Sequence, residues 1–130
     1  MPSIFTKIIN KEIPGYIIAE TDTCIAFLDV FPLAMGHVLI VPKEEIDYLF
    51  SIKDSLLTEM ILFSKKISIA IKKAVPCKRI GVAVIGLEVP HAHIHLLPLQ
   101  TVQDINFSRE KLKPSKDELQ KIADLIKSYL

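Results

Sequence analysis

Between Asp54 and Ala74, Leu56, Met60, Phe63, Ile67 and Ile71 recur at helical spacing, and Leu57, Ile61 and Ala74 widen the apolar stripe. The pattern predicts one long helix, with Asp54 as its N-cap and Pro76 as its stop. Leu62 and Ile69 point toward another side, among Lys66 and Lys73. They are either ordinary exposed apolar residues or a second buried face of the kind a dimer provides. Residues 3–10 read as a short helix with Ile4, Phe5, Ile8 and Ile9 on one apolar side, ended before Pro14. Residues 16–19 and 24–28 read as a strand pair turned at Glu20-Thr21-Asp22. Further β-prone runs occupy 37–41, 79–85 and 91–97, separated by Pro and Gly punctuation. Ser115 and Glu118 have capping-box spacing and open a terminal helix whose face carries Leu119, Ile122, Ala123, Ile126 and Tyr129. Strands early and late with a long helix between them predict an α+β fold with a mainly antiparallel sheet.

Composition narrows the class. The 130 residues, with neither repeat nor linker, fit one domain over 1–130 whose core is large enough to fold without staples. Half the residues are hydrophobic and 24% are charged, which excludes a disordered tail. Sixteen Lys+Arg against fifteen Asp+Glu give no support for a nucleic-acid polymer as partner. The richest apolar stretch, residues 25–42, is broken by Asp29, Pro32 and His37 and falls short of the roughly 20 residues a membrane span needs. The opening Met1-Pro2-Ser3-Ile4-Phe5-Thr6-Lys7 has no export pattern, and Cys24 and Cys77 form no CxxC pair. The expectation is a cytoplasmic protein with reduced thiols and no membrane partner.

Of the four histidines, three alternate in Pro90-His91-Ala92-His93-Ile94-His95-Leu96-Leu97-Pro98. In a strand they line one face at intervals of about 6.6 Å, while Ala92, Ile94 and Leu96 face a core. The fourth, His37, follows Gly36 at the start of another β-prone run, and a sheet can bring it beside the others. Burying several imidazoles costs free energy unless each finds a partner, so the pattern favours function over packing. Two chemistries remain open on the residues alone. One is a zinc site, with Glu88 or Asp29 completing the ligands. The other is covalent catalysis at phosphorus, one imidazole attacking while another handles protons or oxygens.

His-Ala-His-Ile-His-Leu-Leu resembles the defining motif of the histidine-triad family. Ile4-Phe5-Thr6-Lys7-Ile8-Ile9-Asn10-Lys11-Glu12-Ile13-Pro14 resembles its opening segment. Ala26-Phe27-Leu28-Asp29-Val30 with Gly36-His37-Val38-Leu39-Ile40-Val41-Pro42-Lys43 resembles its nucleotide-pocket strands. The similarity covers roughly residues 3–98, leaving a C-terminal extension over about 99–130. The resemblance implies a homodimer with a five-stranded antiparallel sheet, in which the long helix and the strand after it form the contact. It implies hydrolysis or transfer of nucleotides, purine nucleotides being the expected substrate, at the α-phosphate through a covalent nucleotidyl-histidine, with no cofactor expected and no metal needed for the covalent step in the hydrolase branches. By the same resemblance His93 is the nucleophile and the His91 carbonyl holds its other ring N–H. His95 bonds phosphate oxygens or the leaving group, and His37 supports the cluster. Asp29 binds the ribose hydroxyls, and Ile4, Phe5, Ile8, Phe27, Val30 and Leu39 surround the base. Gly86 lets the backbone approach a phosphate.

Two departures matter. Ile85-Gly86-Leu87-Glu88-Val89-Pro90 is shorter than the usual Gly-rich loop and lacks its hydroxyl donor, and Glu88 places a carboxylate near the expected phosphate. Residues 100–130 exceed the short tails of the phosphoramidase branch. His95, where the uridylyltransferase branch has glutamine, points to a hydrolase. The expected substrates are nucleoside phosphoramidates or dinucleoside polyphosphates. A nucleotide-binding regulatory module and a zinc-dependent protein are the alternatives.

Overall fold

The structure, a computed structural model, describes residues 2–130; Met1, at the head of the segment read for an export pattern, lies outside them. The chain runs α1 (Ile4–Ile9), β1 (Ile17–Glu20), β2 (Cys24–Leu28), β3 (Val38–Pro42), α2 (Asp54–Ala74), β4 (Arg79–Ala83), β5 (Ile94–Leu99) and α3 (Lys116–Lys127). The strands form one five-stranded sheet in the order β1-β2-β3-β5-β4, every neighbouring pair antiparallel. This is the expected α+β architecture.

Both faces of the sheet are covered, which is why β2 and β3 read as unbroken apolar runs and are buried throughout. Cys24, Ala26, Leu28, Val38, Ile40, Ile94 and Leu96 face one side and pack on α2 and α3. Ile25, Phe27, Leu39 and Val41 face the other and pack on Phe5 of α1. Strand alternation therefore sends His95, between Ile94 and Leu96 and paired with Leu39, to the α1 side.

Several local expectations need correction. Asp54 is the first helical residue of α2, not its cap; Lys53 holds the cap position and makes no side-chain bond there. Asp54 instead places a carboxylate in the first turn, where the helix dipole favours it. Ile61 does not widen the buried stripe but is exposed. Tyr129 lies beyond the end of α3 and is also exposed, while Leu119, Ala123 and Ile126 are buried as expected. The Ser115–Glu118 capping box is present. Strand ends move by a few residues. The largest shift is in β5, which begins at Ile94 and runs through Pro98, a position the pairing with β3 does not reach. Among the described residues, no helix is long and apolar enough to cross a membrane, and Cys24 and Cys77 are free.

Candidate functional site

Because β5 starts at Ile94, only His95 belongs to a strand; His91 and His93 sit in the turn before it. The expectation of three rings evenly spaced on one strand face is therefore wrong in detail. His93 and His95 stand edge to face at 4.8 Å, and Phe5 closes the opposite side of His93 at 4.9 Å. The His91 ring turns instead into the layer between α1 and the end of β3. His37 precedes β3 and meets His95, its Nε2 lying 2.9 Å from His95 Nδ1. His37 and His91 are 1% and 0% exposed, whereas His93 and His95 keep a small edge open at 6% and 7%.

Backbone groups set the tautomers of His37, His91 and His93, and His37 sets that of His95. The Leu33 N–H donates to His37 Nδ1 at 3.1 Å, so a neutral His37 carries its proton on Nε2 and donates it to His95 Nδ1. His95 is then left with Nε2–H as a donor. The His93 Nδ1–H donates to the His91 carbonyl at 2.7 Å, which leaves His93 Nε2 as a bare lone pair. His91 donates from Nε2 to the Pro42 carbonyl at 2.8 Å and accepts at Nδ1 from the Ser3 hydroxyl at 2.7 Å. One lone pair and one N–H donor on adjacent rings thus remain uncommitted.

Burial pushes the His37 imidazole down to about 3 and His95 down to about 4, with neighbouring rings and the Lys111 charge adding to the effect. Burial also lowers His91, against the opposing pull of the Pro42 carbonyl and Glu45. His37 and His95 are therefore uncharged at neutral pH. Asp29 lies beside them, Oδ2 at 3.8 Å from His37 Nε2, while Oδ1 accepts the Phe31 N–H at 3.0 Å. Burial raises its carboxyl above the ordinary range.

The six apolar positions divide. Phe5, Phe27 and Leu39 are buried together, with Phe5 and Phe27 edge to face at 5.4 Å, and Ile8 packs against them. Ile4 and Val30 are exposed and lie outside this cluster. Gly86 takes a left-handed backbone with φ +71 and open space around it, so its conformation, rather than any close contact, calls for glycine. Glu88 is exposed in the same loop.

Five residues that the sequence did not single out as part of the site stand around it. Ser3 caps α1, accepting from the Thr6 N–H. Glu45 Oε1 accepts from the Ser3 N–H and the Thr6 hydroxyl, each at 2.6 Å, and these donors pull its carboxyl down to about 2. Phe107 stacks edge-on against His95 at 4.7 Å, and the Lys111 charge favours the ionised Asp29 and the neutral His37 and His95. A serine before an apolar helical run signals a cap, and a lone phenylalanine in a polar tail signals a contact. Nothing local marks Glu45 or Lys111.

Asp29, His37 and His95 offer three ligand atoms within 4.8 Å of one another. A cation there needs a lone pair on His37 Nε2, which forces a proton onto Nδ1 against the Leu33 N–H. His37 Nε2 and His95 Nδ1 are already committed to each other, so these two nitrogens fit a hydrogen-bonded pair better than a metal.

Comparison with known proteins adds four findings. The HIT domain matches residues 10–102. A HIT-like protein of Borreliella burgdorferi is 37% identical over 113 residues, covering 82% of this chain and 81% of its own length. The adenosine 5′-monophosphoramidase of Saccharomyces cerevisiae is 38% identical over 96 residues, covering 73% and 61%. The crystal structure of a Hit-like protein from Bartonella henselae superposes with a TM-score of 0.85 at 30% identity, over 98% of this chain and 96% of that one.

Proposed function

This chain belongs to the HIT family, and from the geometry of its histidines we propose that it hydrolyses nucleotides at the α-phosphate. The observation that carries the reading is the 2.7 Å bond from His93 Nδ1 to the His91 carbonyl, which frees Nε2 beside the His95 N–H. His93 Nε2 attacks phosphorus, forming a P–N bond as the bond to the leaving group breaks. His95 Nε2–H donates to a phosphoryl oxygen, and His37, donating from Nε2 to His95 Nδ1, keeps that N–H on the site side, while the leaving atom takes its proton from solvent. Water then attacks the nucleotidyl-histidine and gives its proton to solvent, the P–N bond breaks with its electron pair returning to His93 Nε2, and a nucleoside monophosphate leaves. The chemistry needs positioning and stabilisation of spreading negative charge, with no metal or cofactor in the covalent step.

The ribose hydroxyls bond Asp29, whose neighbour Val30 and, across the site, Ile4 present exposed apolar surface to a purine base. Phe5, Phe27, Leu39 and Ile8 support that surface from beneath. The phosphoramidase among the relatives favours nucleoside phosphoramidates, and dinucleoside polyphosphates fit the same chemistry. The unpaired thiols suit a cytoplasmic setting. Leu62 at 62% and Val82 at 59% exposure, with Ile61 and Ile69, form an apolar face across α2 and β4. It holds a hollow of about 250 Å³ whose lining joins Ser64, Lys65 and Ser68 of α2 to apolar side chains of α2, β4 and β5, Ile61 and Val82 among them. A second copy burying this face makes the protein a homodimer.

The test is turnover of adenosine 5′-phosphoramidate and diadenosine tetraphosphate, with and without chelator. Hydrolysis that survives chelation and disappears in His93→Ala supports the proposal. Nucleotide binding without turnover, or activity lost to chelator and restored by zinc, contradicts it.

A further inference from the structure

The His91 ring takes no part in the chemistry, yet the turn that carries it is held from several sides. Its Nε2–H donates to the Pro42 carbonyl at 2.8 Å, and the Ser3 hydroxyl donates to its Nδ1 at 2.7 Å. The Ala92 N–H donates to the Ile46 carbonyl at 2.7 Å. That N–H belongs to the same planar peptide group as the His91 carbonyl. Fixing the N–H on Ile46 therefore fixes the direction of the carbonyl, which accepts the His93 Nδ1–H at 2.7 Å.

Glu45 joins these supports. It directly precedes Ile46, in the segment that receives both the His91 ring and the Ala92 N–H. Its Oε1 accepts the Ser3 N–H and the Thr6 hydroxyl, each at 2.6 Å, and lies 4.0 Å from His91 Nδ1. One carboxylate oxygen thus ties the start of α1 to the segment 42–46. Glu45 is partly open to water, which hydrates a carboxylate without help, so burial does not force these bonds. Between Ser3 and Thr6, Phe5 sets its ring 5.8 Å from His91 and 4.9 Å from His93. The tie therefore joins the turn, the segment and the wall beside the nucleophile.

A neutral imidazole carries its proton on either nitrogen, and the hydrogen bond made by one decides the state of the other. If the His91 carbonyl swings away, the proton is free to occupy His93 Nε2, the atom whose lone pair has to attack phosphorus. Resting on the reaction proposed above, we propose that Glu45 is a positioning residue for the nucleophile. Through Ser3 and Thr6 it locks the segment 42–46 to α1, and the locked segment holds the His91–Ala92 peptide in the orientation that keeps His93 in its Nδ1–H form. Glu45 touches neither substrate nor the reacting atoms. The role needs an acceptor oxygen at this position, not a negative charge.

The experiment compares wild type, Glu45→Ala and Glu45→Gln. The glutamine keeps an oxygen able to accept from the Ser3 N–H and the Thr6 hydroxyl. With adenosine 5′-phosphoramidate, Glu45→Ala is expected to lower kcat about tenfold while KM stays within about twofold, and Glu45→Gln to keep kcat within about threefold of wild type. The second readout needs no turnover. Nitrogen NMR spectra of isotope-labelled protein at about pH 8, above the ordinary imidazole range, separate the Nδ1–H and Nε2–H forms, with His93→Ala identifying the His93 signal. Wild type and Glu45→Gln should show His93 as Nδ1–H, and Glu45→Ala should show a clear share of Nε2–H. A wild-type kcat or an unchanged His93 signal in Glu45→Ala, or a Glu45→Gln variant as impaired as Glu45→Ala, overturns the proposal. Should wild type turn over no nucleotide, the proposed reaction fails, while the spectra still decide the role of Glu45. Circular dichroism shows whether each variant folds. If Glu45→Ala does not, Thr6→Val, which removes the hydroxyl donor to the carboxylate, has to shift His93 in the same direction, and an unchanged signal there overturns the proposal.

Discussion

Lowering the pH should remove stability through the two paired imidazoles. In the folded chain burial holds His37 down to about 3 and His95 down to about 4, against an ordinary value of 6.5. Between those values the unfolded chain binds more protons than the folded one. The stabilisation is therefore complete above about pH 6.5 and is lost progressively as the pH falls toward the folded values. At about pH 5 the unfolded rings are charged and the folded rings are not, so each costs about 2 kcal/mol relative to about pH 8. The figure at that pH depends on the unfolded value and hardly on how far below 5 the folded one lies. Together the rings remove about 4 kcal/mol, a large share of the 5–15 kcal/mol typical of a domain. His91 acts in the same direction, and the raised Asp29 opposes it at the acid end. The chain has no tryptophan, so the assay is urea unfolding followed by far-ultraviolet circular dichroism at the two pH values. His37→Asn should be less stable throughout but should lose about 2 kcal/mol less than wild type on going from pH 8 to pH 5. Losses that agree within about 0.5 kcal/mol would show that His37 charges normally in the folded state, and would refute the buried neutral pair.

Other expectations follow from individual contacts. Ser3→Ala removes both the α1 cap and the donor to buried His91 Nδ1, and should cost about 1–3 kcal/mol by urea unfolding; a loss under about 0.5 kcal/mol would count against this junction. Gly36→Ala places a Cβ 3.0 Å from Val75 Cγ2 and 3.2 Å from Pro98 Cγ at a φ of +96, so it should lower stability by about 1–3 kcal/mol and disturb the adjoining His37; an unchanged Tm contradicts it. Leu62→Glu and Val82→Glu should each convert a particle of twice the 14.6 kDa chain mass into a monomer in sedimentation, whereas a wild-type monomer at micromolar concentration would remove the dimer.

Periodic features were the easiest to read from sequence. The α2 bounds, β2 and the Ser115 capping box follow from residue spacing alone, because local sterics and one buried face decide them. Strand ends shifted because pairing partners, rather than propensity, decide where a ladder stops: β5 loses His91 and His93 and gains Pro98. The histidine cluster was legible as chemistry, but the direction of each ring was not. His91 turns toward Ser3, 88 positions earlier in the chain, and that contact has no local signature. Glu45 is tied in by the same long-range junction, and Phe107 comes to His95 from a C-terminal segment whose Leu112 N–H bonds the Pro32 carbonyl. Neither spacing nor a family pattern ending near residue 98 carries that information.

The central claim is that His93 Nε2 becomes bonded to phosphorus. Wild-type protein mixed with diadenosine tetraphosphate or adenosine 5′-phosphoramidate is quenched rapidly in alkali, which spares a phosphorus–nitrogen bond, then digested and examined by mass spectrometry. An adenylyl group on the peptide containing His93, removed by acid and missing from His93→Ala, is the predicted result. Turnover with no such adduct at any quench time, or an adduct on another residue, contradicts it.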